Sequence, residues 1–240
     1  MTDDPIARRQ FLVGAGAAGT AVAAALAPKV AEAAGQTPPA PAAAAEPAAP
    51  EAFLTLTATE AAFIAAAVDT LIPADELSPS GSDCGIVVFI DRQLASAWGG
   101  GAKQYRSGPF QKGKPEQGYQ LSLTPREFFA AGIAAANEWS RKTYGKDFDR
   151  LDPGERVAAL KAMEEGKAEF PRFNSRAFFQ RLHSITMEGF FSDPVYGGNR
   201  GMVSWKMLGY PGLPATYARY IDEYRNKRYT APPQSIQDFS

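Results

Sequence analysis

Glu188, Asp193 and Arg200 are the side chains best placed by type and spacing to do chemistry. They share one short stretch, Thr186 to Gly212, TMEGFFSDPVYGGNRGMVSWKMLGYPG. A glycosidase needs two facing carboxyls about 5 to 10 Å apart, one tuned as an acid by its surroundings. Glu188 and Asp193 fall at a helix end and in an Asp193-Pro194 turn, with no acid-tuning pocket written around them. A calcium loop needs more alternating oxygen ligands than Ser192, Asp193 and Asn199 supply. Gly197-Gly198-Asn199-Arg200 has the makings of an anion site, with loop amides and a guanidinium to meet a carboxylate or phosphate. Glycines that only permit turns, with Arg200 in a structural ion pair, fit the same pattern.

The same stretch alternates Gly and Pro turns, including Pro211-Gly212, with Phe190, Phe191, Tyr196, Trp205 and Tyr210. This composition predicts a shaped loop holding large rings. Rings of that size go into a core or an interface. The spacing leaves open whether they face a partner or frame the chain's own core.

Elsewhere the chemistry thins out. The chain of 240 residues has one cysteine, Cys84, and one histidine, His183. An intrachain disulfide is excluded, and so, nearly, is a Cys/His metal site. Cys84 precedes a predicted helix whose amino terminus would lower a thiol pKa. The plainer reading is a small residue in a turn, and an interchain disulfide is the version to test. His183 reads as a surface residue rather than a general base. The net charge of -1 gives no basic field for nucleic acid. No G-x-G-x-x-G, P-loop or C-x-x-C-H motif is present, so the expectation is that this chain holds no cofactor or metal of its own.

The amino terminus carries a transport pattern. Arg8-Arg9-Gln10-Phe11-Leu12 matches a twin-arginine export motif, with Ala7 where Ser or Thr is usual and Val13 where Lys is common. An Ala/Gly-rich apolar run follows to Ala27, then Lys29 and a small-residue cleavage site, Ala31-Glu32-Ala33. The run is too weak and too short for a spanning helix, which needs roughly 20 apolar residues. Residues 1–33 therefore read as a signal peptide and 34–52 as an Ala/Pro-rich linker that separates it from the fold. The twin-arginine route carries proteins already folded, typically around a cofactor. A cofactor route on a chain without a cofactor motif suggests escort of a loaded partner.

The elements that must hold the central stretch read as helices. Thr57-Ala58-Thr59-Glu60, Thr124-Pro125-Arg126-Glu127 and Asp152-Pro153-Gly154-Glu155 are three capping-box starts. The first helix runs to Leu71 and stops at Pro73; the second carries Ile86, Phe89, Ile90, Leu94 and Trp98, with Asp91 and Arg92 outward. The third buries Phe128, Phe129, Ile133, Ala136 and Trp139 and ends at Tyr144-Gly145. The fourth turns Val157, Leu160 and Met163 inward. A fifth starts after Asn174 with Phe178, Phe179, Leu182, Ile185 and Thr186 inward and Arg181 outward. Leu213-Pro214 predicts a last amphipathic helix with Tyr217, Tyr220, Ile221 and Tyr224 on one side. No alternating strand runs occur, so the fold class is all-α: one domain, 53–230, of five to six helices with long irregular loops, and an extended tail, 231–240. The loop Gly99 to Leu121 carries Tyr105, Phe110 and Tyr119 among lysines. Rings so spaced suit stacking of single-stranded nucleic acid or contact with a protein, and export favours the protein.

Glu188-Gly189-Phe190-Phe191-Ser192-Asp193-Pro194, Tyr196-Gly197-Gly198-Asn199-Arg200, Trp205 and Gly209-Tyr210-Pro211-Gly212 together resemble the signature block of the gluconate 2-dehydrogenase subunit 3 family. Gly201 and Ser204 stand where Asp and Gly are expected. The resemblance implies a noncatalytic small (gamma) subunit of a periplasmic, membrane-associated sugar or sugar-acid dehydrogenase. It implies two partners: an FAD-containing large subunit of the glucose-methanol-choline type, and a multihaem cytochrome c subunit that makes the membrane contact. The small subunit would escort the flavoprotein, which has no signal of its own, through the twin-arginine translocase. The competing expectation is an independent periplasmic protein that binds or processes sugars through Glu188, Asp193 and Arg200.

Overall fold

The computed structural model describes residues 52–111, 113–114, 117–213 and 216–239, all within one compact unit, Ala48–Ser240. The export motif, Arg8, Arg9, Phe11 and Leu12, and almost all of the linker lie outside the described residues. Among the described residues there are six α-helices and no β-strand: α1 Ala58–Leu71, α2 Ile86–Ala95, α3 Pro125–Tyr144, α4 Pro153–Glu164, α5 Ser175–Phe191 and α6 Val203–Leu208.

Three of these helices start where local capping chemistry says they should. Thr57 and Glu60, Thr124 and Glu127, and Asp152 and Glu155 each close a reciprocal capping box. The side chain at the third helical position takes the cap amide while the cap side chain takes an early amide, which satisfies two orphan donors at once. Gly145, at φ 76°, ends α3 in the left-handed conformation that glycine reaches without a Cβ penalty.

The core is aromatic, and α5 is its hub. Phe63, Phe128, Phe129, Phe148 and Phe178 are fully buried. The Phe178 ring lies 6.0 Å from Phe129, 6.1 Å from Phe63 and 5.9 Å from Phe170. Burying such a ring is worth about 1.5–3 kcal/mol. The close approach of α3 to α5 requires Gly132, since a Cβ there would overlap the Phe178 ring. Farther along α5, Gly189 plays the same part against Phe89 of α2.

Several side chains stand elsewhere than the periodicity expects. Asp91 points inward and is buried. Its carboxylate accepts from the backbone N–H groups of Leu54, Thr55 and Leu56 at 2.6, 2.9 and 2.9 Å. An irregular approach to α1 has no strand to pair with, so its amides need a side-chain acceptor. Val157 is 41% exposed, because α4 packs through Ala159, Leu160 and Met163 instead. Helix α2 ends at Ala95, so Trp98 lies beyond it. Arg181, expected outward, stacks over the Trp98 ring with its guanidinium carbon 4.9 Å from the centroid.

The predicted last helix does not form. Only a short 3-10 turn, Ala218–Tyr220, and further turns are present there, and Ile221 is exposed. An amphipathic pattern needs an apolar surface to face. These tyrosines instead gather about Tyr229, Tyr217 and Tyr224 edge-on and Tyr220 tilted, with centroids between 4.8 and 5.5 Å from it. The tail segment closes back on the domain, with a single parallel bridge between Gly212 and Gln234 and a 3-10 turn, Ile236–Phe239.

Candidate docking site

The stretch from Ser192 to Gly212 is a loop knotted by its own polar side chains. At the end of α5 the Ser192 hydroxyl donates to the Gly189 carbonyl at 3.0 Å, and Asp193 accepts from the Val195 amide at 3.0 Å. This starts a 3-10 turn, Pro194–Tyr196, which Gly197 closes at φ 100°. The Gly197 carbonyl then presses on Gly85 at the head of α2, where a Cβ would clash with it. The Arg200 amide completes the seam by donating to the Cys84 carbonyl at 3.0 Å.

Asn199 is the centre of the knot. It is fully buried and left-handed, at φ 46° and ψ 42°, a region its short polar side chain tolerates better than most. Its amide nitrogen donates to the Ser192 carbonyl at 2.9 Å. Its oxygen accepts from the Ser204 amide at 3.0 Å and the Ser204 hydroxyl at 2.8 Å. Ser204, the departure from the expected glycine, therefore adds a second donor to Asn199. Gly201, the other departure, sits at φ 66° in open space.

Asp193 is committed to the chain's own backbone and tail. Beyond Val195, its carboxylate accepts from the Ser235 hydroxyl at 2.7 Å and the Ile236 amide at 2.9 Å, which ties the tail to the knot. Glu188 instead takes the Ser184 hydroxyl, one helical turn back, at 3.0 Å. The Arg200 side chain lies along Gly85. The three groups considered for sugar chemistry thus each engage a different neighbour within the chain. Among the described residues, no group of three His, Cys, Asp or Glu could hold a metal ion. Sequence reasoning missed the tail contact, although Ser235-Ile236-Gln237-Asp238 carries a cap signature: Asp238 accepts from the Ser235 amide at 2.7 Å.

The rings divide between the two roles left open. Phe190 and Trp205 are core residues, 5% and 6% exposed, and the Trp205 indole N–H donates to the Phe191 carbonyl at 3.0 Å. Phe191, Tyr196 and Tyr210 are 38%, 50% and 48% exposed, and Met207 and Leu208 of α6 add apolar surface. Tyr210 meets Trp205 edge-on at 5.2 Å, so this outer ring is braced from behind. Gly212 makes room for the same indole and for the Gln234 carbonyl. Large rings held on a rigid loop are the usual material of interface anchors.

Cys84 behaves as a core side chain. It is buried, and burial, with the charges of Asp83 and Asp69 adding to it, raises its thiol pKa where a helix terminus alone would lower it. So placed, the sulfur is out of reach of an interchain disulfide. His183 is exposed and packs against Phe179, centroids 6.0 Å apart. In the 99–121 loop, Tyr119 is stacked on core Phe128 at 4.1 Å, so that ring face is not available to a base.

No curated protein and no solved structure matches this chain. The family described as gluconate 2-dehydrogenase subunit 3 matches residues 58–212, from the start of α1 to the glycine that closes the knotted loop. That span covers well over half of the chain and takes in the whole signature block, and the chain therefore belongs to the gluconate 2-dehydrogenase subunit 3 family.

Proposed function

We propose that this chain is the noncatalytic small subunit of a membrane-associated, FAD-dependent sugar or sugar-acid dehydrogenase, and that it escorts the folded flavoprotein through twin-arginine export and then stabilises it in the periplasm. The observation that carries the reading is the division of labour in the signature block. Asp193 and Asn199 spend their hydrogen-bonding capacity on the chain's own backbone and tail, while Phe191, Tyr196 and Tyr210 stand outward on the braced loop. Such a block holds a shape for another surface. FAD belongs to the large subunit in this proposal, and haem c to a cytochrome subunit that carries the membrane contact. Among the described residues, no helix of this chain is long and apolar enough to cross a membrane.

The test is co-expression of the large subunit with this chain, without it, and with Arg8 and Arg9 both replaced by lysine. Protein-bound flavin in the periplasm should fall sharply in the second and third cases. Undiminished periplasmic flavin in both would overturn the escort role.

A further inference from the structure

Past Gly212, where the family-matched span ends, the chain folds back into a small module of its own. Two backbone hydrogen bonds fasten its ends beside the signature block. The Leu213 amide donates to the Gln234 carbonyl at 2.9 Å, and the Gln234 amide donates to the Pro211 carbonyl at 3.1 Å. The Tyr217 hydroxyl adds a third tie, donating to the Gly212 carbonyl at 2.9 Å. Between these fastenings the rings about Tyr229 pack on one another as a satellite cluster. A cleft of about 420 Å³ lies against that cluster and is also lined by Tyr210 and Pro211, so it is continuous with the outward rings of the signature loop.

Shape and charge together narrow what can fill it. Rings and the exposed Ile221 make nearly all of the lining, and a concave apolar lining suits an inserted apolar side chain. A lipid surface offers no such knob; it suits rings that protrude. Lys227 is the one charge in the described lining, and no carboxylate accompanies it there. Asp222, close by in sequence, is taken by Arg225 at 2.7 Å, whereas Lys227 has no ion pair among the described residues. The Arg228 guanidinium adds positive charge on the same side, 3.7 Å from where a Cβ on Gly209 would stand. A cationic ligand is disfavoured twice, by Lys227 and by the Arg219 guanidinium that already covers the Tyr220 ring at 4.7 Å. Charge complementarity asks for a carboxylate beside the inserted group.

We propose that this cleft receives an apolar side chain of the flavoprotein subunit, flanked on the same segment by a carboxylate that meets Lys227. The inference rests on the escort reading and extends its docking face past Tyr210 onto the tail module.

Titration of the purified flavin-loaded large subunit with the full chain and with its Ile221→Ser, Lys227→Glu and Tyr196→Ala variants tests it. Ile221 and Lys227 are exposed, so both cleft variants should melt with the parent chain. Each is expected to weaken association about tenfold or more, and the Lys227→Glu loss should shrink between about 50 and about 300 mM salt. Parent affinity in both cleft variants, with a defect in Tyr196→Ala, would overturn the cleft's role and leave the docking face standing. A loss in only one of them would overturn the pairing of knob and carboxylate. No association of the parent chain with the large subunit would overturn the escort reading and this inference with it. Sedimentation of the chain alone and flotation with phosphatidylglycerol vesicles check the other occupants. Self-association or vesicle binding that both cleft variants abolish would overturn the proposal, in favour of a second copy or a lipid surface respectively.

Discussion

Asp193 and Ser235 are joined by a 2.7 Å hydrogen bond across forty-two positions of sequence. The same carboxylate starts the turn at Val195 and takes the Ile236 amide, so one side chain ties the end of α5, the signature loop and the tail together. Asp193→Ala removes an ionised acceptor from three donors and is expected to cost about 1–3 kcal/mol of stability. Amide hydrogen exchange at residues 234–238 should rise first. Unchanged protection there would show that the tail is held by other means.

Gly85 couples the loop to α2. Gly85→Ala combines a left-handed backbone penalty of about 1–2 kcal/mol with overpacking of about 1–3 kcal/mol against the Gly197 carbonyl and Arg200. Gly145 is the control, at φ 76° with nothing within 4 Å of an added Cβ. Gly145→Ala should show the backbone penalty alone in urea unfolding. Equal losses in the two variants would remove the packing explanation for Gly85.

The buried and exposed rings of the block should separate in experiment. Trp205→Ala is expected to cost about 3–5 kcal/mol of fold stability, as a truncated core ring does. Tyr196→Ala should change stability by less than about 0.5 kcal/mol, yet weaken association with the flavoprotein by about 2 kcal/mol if it is an anchor. Calorimetric melting and pull-down of the large subunit distinguish the two. An association defect in neither Tyr196→Ala nor Tyr210→Ala would place the docking face elsewhere.

Cys84 gives a pH signature. Burial holds its folded-state thiol pKa above the ordinary 9.0, with Asp83 and Asp69 pushing the same way. The neutral thiol's contribution is therefore complete below the unfolded pKa and is lost as pH rises through the folded one. Cys84→Ser should flatten the alkaline fall in stability. Thiol reagents at about pH 8 should label the native chain only as fast as it opens, and non-reducing gels should show no disulfide dimer.

Much of the scaffold was legible because it rests on local chemistry. The capping boxes at Thr57, Thr124 and Asp152 involve residues three apart, and their spacing fixes where α1, α3 and α4 begin. The stop of α1 before Pro73 and the Gly145 terminus of α3 are equally local. Short α6 was hidden inside a stretch whose glycines and proline read as turns; its Val203–Leu208 run is held by Asn199 capping Ser204 and by the Trp205 indole.

The sequence by itself determined the all-α class, the helix starts and, through the spaced signature block, the family. Only the tertiary structure decided which side chains of that block point inward. Phe190 and Phe191 are adjacent and chemically identical, yet one is 5% exposed and the other 38%. Asp91 on α2 was set outward by periodicity and turned inward by three unpaired amides, and Asp193 was one of two candidate acids until the tail reached it. A cap depends on residues within one turn, so it is written in the sequence. Burial and long-range acceptance depend on which surface arrives opposite, and that is fixed only when the whole chain has folded.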